Sequence, residues 1–232
     1  MTSSDKNHIE NGDLIVEGRL IDASNATLYG HIRTDTDTVA VIYKPIAGER
    51  PLWDFPDGNL AQRELAAFRI SEVMQIGRVP FTIIREGPFG PGMVQQWINT
   101  DDSVDLISFS RSDDVQLREL ALFDAIINNT DRKIGHLLVD ESGFLYGCDH
   151  GVTFHVEDKL RTVLWQWRGT ELSEHDRSLI NRVRSADVSA LLSELITEEE
   201  IVALMGRVER LITSNQFPQP SQDWPAIPWP PV

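Results

Sequence analysis

The sequence has little cysteine, a shortage of positive charge and no long apolar run. Cys148 is the only cysteine in 232 residues, which excludes disulfides and cysteine-rich metal sites. Lys and Arg number 21 against 36 Asp and Glu, giving a net charge of −15. Neutralising a phosphate backbone needs clustered basic residues, so no nucleic-acid partner is expected. Stable association with an anionic membrane is not expected either. No stretch approaches the ~20 consecutive apolar residues of a membrane span. The opening "MTSSDKNHIENGD" has neither the basic nor the apolar region of a secretory leader. The expected location is cytoplasmic.

What is present reads as a soluble α+β protein long enough to bury a substantial core. Residues 1–12 are polar and are expected to be loose. Strand-like runs at 14–21, 27–33 and 38–44 follow, separated by the short polar turns "DASNA" and "RTDTDT". The run "LAQRELAAFRISEVMQIG" places apolar residues at helical spacing, with Asp57 or Asn59 as cap and Gly77 as stop. Two more strands, "PFTIIRE" and "GMVQQWI", flank the turn "GPFGPG". The expected upper unit is therefore 13–98, a sheet with one helix.

The second half, 99–214, changes character. Residues 114–128 form a strongly amphipathic helix, and "HLLVD" and "GFLYGCD" form a short hairpin. Helical patterns return near 158–167, 173–183, 187–195 and 197–213, with Thr197 capping the last before "EEE". Trp165 and Trp167 are expected in the core, and His155 and His175 on the surface or in turns. The tail, 215–232, is rich in Pro and Trp and is expected to run extended.

Chemistry enters with Lys44 at the end of the apolar strand "VAVIYKP". In isolation such a lysine is more readily a snorkelling strand end. Glu64, on the following helix, sits near a face edge from which it reaches back toward Lys44. A lysine held by a helical glutamate and aimed at phosphates is the small-lobe device of kinases. A solvated helix face is the alternative. Asp131 then follows the 114–128 helix, and Asp149 ends the hairpin. Each has a bland reading, as a turn cap or a strand end. Together, two carboxylates on adjacent loops suit phosphoryl transfer: one orients the attacking hydroxyl, the other holds the metal bridging the nucleotide phosphates.

"NNTDRKIGHLLV" followed by "CDHGVTFH" resembles the catalytic and metal-binding loops of the phosphatidylinositol 3- and 4-kinase-like superfamily. The type II phosphatidylinositol 4-kinases are the nearest match, and HipA-like serine kinases are more distant. The resemblance covers roughly residues 14–155 and is specific only in the two loops. It implies a two-lobed protein-kinase-like fold with a small β-rich upper lobe and a mostly helical lower one. It implies ATP with Mg²⁺ or Mn²⁺ as cofactors. By motif, Lys44 meets the phosphates, Glu64 holds Lys44, Asp131 is the catalytic carboxylate and Asp149 a metal ligand. Gln95, Gln96, Trp97 and Ile98 would form the hinge that meets adenine.

The sequence departs from that pattern in three places. No Gly-x-Gly-x-x-Gly loop exists; the turn at 22–27 stands there, with Ser24, Asn25 and Thr27 as candidate phosphate contacts. His136 occupies the position at which an Asn binds the second metal. An imidazole there favours Mn²⁺ or another transition metal, hydrogen-bonds Asp149 or the backbone, or marks a weakened site. In that case Asn128 or Asn129 supplies the missing oxygen. Finally, His150-Gly151 follows Asp149, and residues 152–175 hold no basic stretch suited to a phosphoinositide headgroup. The expected activity is γ-phosphoryl transfer from ATP to a hydroxyl of a protein or small molecule, ranked above a phosphoinositide. A pseudokinase acting as a binding module and an AMP-transferring enzyme are the alternatives.

Overall fold

The computed structural model describes residues 3–20, 26–34 and 37–231. Five antiparallel strands, β1 (Asp13–Arg19), β2 (Leu28–Arg33), β3 (Thr38–Pro45), β4 (Thr82–Gly87) and β5 (Gly90–Gln96), form one sheet in the order β1-β2-β3-β5-β4. Their alternating side chains bury Ile32, Val41, Tyr43 and Val94 on one face. Ile9 joins this cluster from α1 (Ser3–Asn11), so a helix lies where the sequence pattern shows only a loose polar segment. Helix α2 (Leu60–Met74) begins at Asn59, whose side chain accepts from the Gln62 N–H. Glu49 adds a second cap, its two carboxylate oxygens accepting from the Leu60 and Ala61 N–H groups at 2.8 Å.

Below the sheet lie α3 (Leu106–Phe109), α4 (Val115–Ile127), the hairpin β6 (Leu137–Val139) and β7 (Leu145–Gly147), then α5 (Glu174–Ser185), α6 (Val188–Leu192) and α7 (Glu198–Ser214). From Glu119 to Ile127 every residue of α4 is buried. A helix apolar on nearly all sides is the centre of a core, and α2, α5 and α7 close around it. Thr197 and Glu200 form the reciprocal cap of α7. The architecture is α+β and two-lobed.

A second element departs from the sequence pattern. Residues 158–167 are not helical. The backbone there pairs instead with the loop after α4, through a parallel bridge between Arg132 and Thr162. The N–H groups of Arg161, Arg132 and Val163 bond to the carbonyls of Asn129, Arg161 and Arg132 at 2.9–3.1 Å. A backbone committed to that loop has no groups left for a helix. Trp167 is buried in the core, while the Trp165 indole N–H donates to the Ala226 carbonyl. The tail is extended along this same region: Thr162 donates to Ala226, and Ile134 to Pro231.

Candidate active site

Lys44 is delivered by the register of the sheet. It lies opposite Met93, while Ile42 lies opposite Tyr29 on β2 and Gln95 on β5. Residues paired in this way share a face, so Lys44, Ile42, Tyr29 and Gln95 point the same way. Close approach of β5 beside Lys44 requires Gly92, because a Cβ there would lie 2.5 Å from the Lys44 carbonyl.

The Lys44 ammonium meets Glu64 Oε1 at 2.8 Å and also contacts Asp149 Oδ1. Glu64 is buried rather than at a helix edge. Its second oxygen accepts the His150 N–H at 3.0 Å, so one carboxylate joins the roof lysine to the loop below. Burial pulls Lys44 toward its neutral form, but Asp149 and Glu64 outweigh it and hold its pKa above the ordinary lysine value. The Lys44 charge, opposed by burial, keeps Asp149 ionised well below the usual carboxylate range. Asp149 has φ 57°, a left-handed backbone uncommon outside glycine and tolerated best by Asn and Asp.

Asp131 lines the same cleft, about 460 Å³ in volume, with Lys44, Glu64 and Asp149. Its loop is fixed from behind. The Asn129 side chain accepts the Asp131 N–H at 2.9 Å and donates to Asp124. Asn128, in a left-handed conformation at the end of α4, grips the carbonyls of His155 and Glu157 and the N–H of Lys159. Both amides are therefore committed inside the protein, which argues against either as a substitute metal oxygen. Arg132 is fully buried: its guanidinium forks onto Asp124 at 2.9 Å, donates to the Cys148 carbonyl and lies 2.7 Å from His150 Nε2. Burial and the Arg132 charge hold His150 neutral, and burial pushes the Cys148 thiol up to about 12.

His136 Nε2 faces Asp149 Oδ2 at 3.5 Å. Its Nδ1 is buried without a hydrogen-bond partner among the described residues. Burial lowers its pKa, against the pull of Asp149, so the ring carries a lone pair rather than a charge. Lys133, which the motif reading passed over, lies 3.1 Å from Asp131 Oδ2. Its sequence signal is its position two residues beyond the Asp, on the same loop.

Among the described residues, the remaining candidates do not converge on this cleft. Ser24 and Asn25 lie outside the described residues. Thr27 is buried, its carbonyl accepting from Leu20, and Ala26 lines the cleft beside it. None of Gln95, Gln96, Trp97 and Ile98 lines it. Gln95 and Ile98 are buried, the Trp97 ring packs edge-on against Tyr29 at 5.1 Å, and the Trp97 N–H bonds to the Ala40 carbonyl. A larger hollow of about 970 Å³ lies between α7, residues 157–160 and the tail; of the candidate residues only Asn128 lines it.

Among the described residues no group of three or more His, Cys, Asp and Glu side chains is arranged to hold a metal by itself. No helix among them is long and apolar enough to cross a membrane. Asp149 and His136 nevertheless fit a cation that takes its other ligands from phosphates, as Mg²⁺ does in nucleotide sites.

No protein-family model matches the chain. Its fold is that of atypical kinases. Golgi casein kinase with Mn and ADP bound aligns with a TM-score of 0.59 at 11% identity, covering 91% of this chain and 74% of the other. Hydra Fam20 with sugar gives 0.57 at 12% identity, covering 90% and 86%. The proinflammatory kinase CtkA of Helicobacter pylori gives 0.53 at 10%, covering 89% and 93%. In sequence the chain is 38% identical over 270 aligned residues to protein Rv2133c of Mycobacterium tuberculosis strain H37Rv, covering 99% of this chain and 97% of that protein. It belongs to the family of Rv2133c.

Proposed function

We propose that the protein is an ATP-dependent phosphotransferase that passes the γ-phosphoryl group to a hydroxyl of a protein or small-molecule acceptor. The observation that carries this reading is the Lys44 ammonium, held by Glu64 from the helix above and by Asp149 from the loop below. A lysine so placed neutralises phosphate charge as the bond to the leaving oxygen weakens. Asp131 orients the acceptor hydroxyl and takes its proton, and Asn129 fixes the Asp131 backbone for that task. Lys133 sits against Asp131 and offers a second positive charge on the acceptor side. Asp149 and His136 would hold Mg²⁺ or Mn²⁺, which supplies charge neutralisation at the phosphates. The motif likeness to phosphatidylinositol 3- and 4-kinase-like loops supports the same roles.

The test is ATP consumption by the native protein beside Asp131→Ala, combined with thermal-shift measurements. Stabilisation by ATP with Mg²⁺ or Mn²⁺, and turnover lost in Asp131→Ala, is the expected result. Equal background rates in both proteins would turn the reading into that of a nucleotide-binding module. Absence of any nucleotide shift would end it.

A further inference from the structure

Arg161 is bracketed by the loop that carries Asp131. Its N–H donates to the Asn129 carbonyl at 2.9 Å, and its carbonyl accepts the Arg132 N–H at 3.0 Å. The residues two before and one after Asp131 thus fix its backbone on both sides, and its side chain lines the same cleft. That side chain has no carboxylate partner. Arg63, Arg78, Arg118 and Arg132 each hold an acidic side chain at 2.6–2.9 Å. Arg161 makes neither an ion pair nor a side-chain hydrogen bond to any described residue, and its Nε is buried without a partner. Arg69, Arg85, Arg182 and Arg207 lack a carboxylate too, but each donates to a backbone carbonyl. A half-buried guanidinium with neither kind of partner is conspicuous in a chain with 36 acidic side chains against 21 basic ones. A buried donor left unpaired is costly, and a guanidinium presents the planar fork that matches carboxylate or phosphate.

We propose that Arg161 is the subsite for an anionic group, phosphate or carboxylate, carried by the acceptor beside the hydroxyl that is phosphorylated. This rests on the phosphotransferase reading of the cleft. Lys44, on the roof, is already committed to the nucleotide side by Glu64 and Asp149. Arg161 belongs instead to the segment that flanks Asp131, where the acceptor hydroxyl would sit. In the transfer, the bond from the γ-phosphorus to its bridging oxygen breaks and leaves on the nucleoside diphosphate. A bond to the acceptor oxygen forms, and the acceptor proton passes to Asp131. Arg161 makes and breaks no covalent bond; it fixes the acceptor so that its hydroxyl faces Asp131.

The experiment is thermal unfolding of the full chain with inorganic phosphate as probe, at ionic strength matched with chloride. It is run with and without saturating manganese and a non-hydrolysable ATP analogue, for wild type, Arg161→Gln and Arg161→Lys. Wild type should be stabilised by phosphate in both conditions. Arg161→Gln should start from an unchanged melting temperature, since its side chain holds nothing else, and respond about tenfold more weakly. Arg161→Lys, with charge but no fork, should fall between and supplies a second folded variant. An absent phosphate response in wild type, or an equal one in Arg161→Gln, overturns the proposal. Loss of the response when the analogue is bound also overturns it, assigning Arg161 to the terminal phosphate of the nucleotide. If the analogue gives no shift while the Arg161-dependent phosphate response persists, the phosphotransferase reading fails by itself. The acceptor assignment then falls with it, leaving only an anion site.

Discussion

Arg132 and Asp124 form a two-point ion pair in which neither side chain is exposed. Asp124 comes from the last turn of α4 and Arg132 is the residue after Asp131. The same guanidinium holds the Cys148 carbonyl, next to Asp149. One buried cation therefore ties the two acidic loops to the most buried helix of the protein. Removing one partner leaves an uncompensated charge in the interior. Arg132→Ala and Asp124→Asn should each cost about 3–5 kcal/mol in urea unfolding. Arg132→Lys should recover little, because a single ammonium cannot span both carboxylate oxygens and the carbonyl.

Lys44→Met should remove the thermal stabilisation by ATP and metal and lower turnover on the order of 10²–10³-fold, the usual effect of losing one charge-stabilising donor. Glu64→Gln keeps the size of the side chain but must present an amide NH₂ to a lysine or to a backbone N–H, both donors. It should lower turnover at unchanged acceptor KM. Normal turnover in either variant would separate Lys44 from the chemistry.

His136→Asn tests the metal preference. Replacing an imidazole nitrogen by an amide oxygen should shift the stabilising metal from Mn²⁺ toward Mg²⁺ in nucleotide-dependent thermal shifts. An unchanged ratio would make His136 a packing residue against Asp149.

Asp176 gives a pH prediction away from the cleft. Burial opposes its ionisation, but hydrogen bonds from Arg118 and from the Ser173 backbone and hydroxyl win, and its pKa is lowered. A carboxyl with a depressed folded pKa adds stability that is present above its unfolded value of about 3.9 and lost as pH falls through the folded value. Acid unfolding of wild type should therefore steepen below about pH 4, and Asp176→Asn should flatten that limb while lowering stability at neutral pH.

Much of this was legible because it rests on short-range patterns. Alternation gave the five strands, apolar spacing gave α2 and α4, and cap residues gave the starts of α2 and α7. Lys44, Asp131 and Asp149 stood out by their order and their loops. Long-range backbone pairing carries no such signature. Residues 158–167 have a helical distribution of apolar side chains, yet the backbone groups of Arg161 and Val163 are taken by 129–132 and the Thr162 N–H by the tail. The structural role of Arg132 has no sequence signature because its partners, Asp124 and Cys148, are brought to it only by the fold. The apolar face of α1 is a single residue, Ile9, too little to register as a period.

Glu64 carries a mechanical consequence. Its two oxygens are engaged from opposite sides, by the ammonium of the sheet and by the peptide that follows Asp149. Helix α2 cannot swing away from the lower lobe without releasing the His150 N–H, nor away from the sheet without releasing the Lys44 ammonium. A displacement of α2 is thus felt at the Asp149 loop or at Lys44, whichever side it moves from.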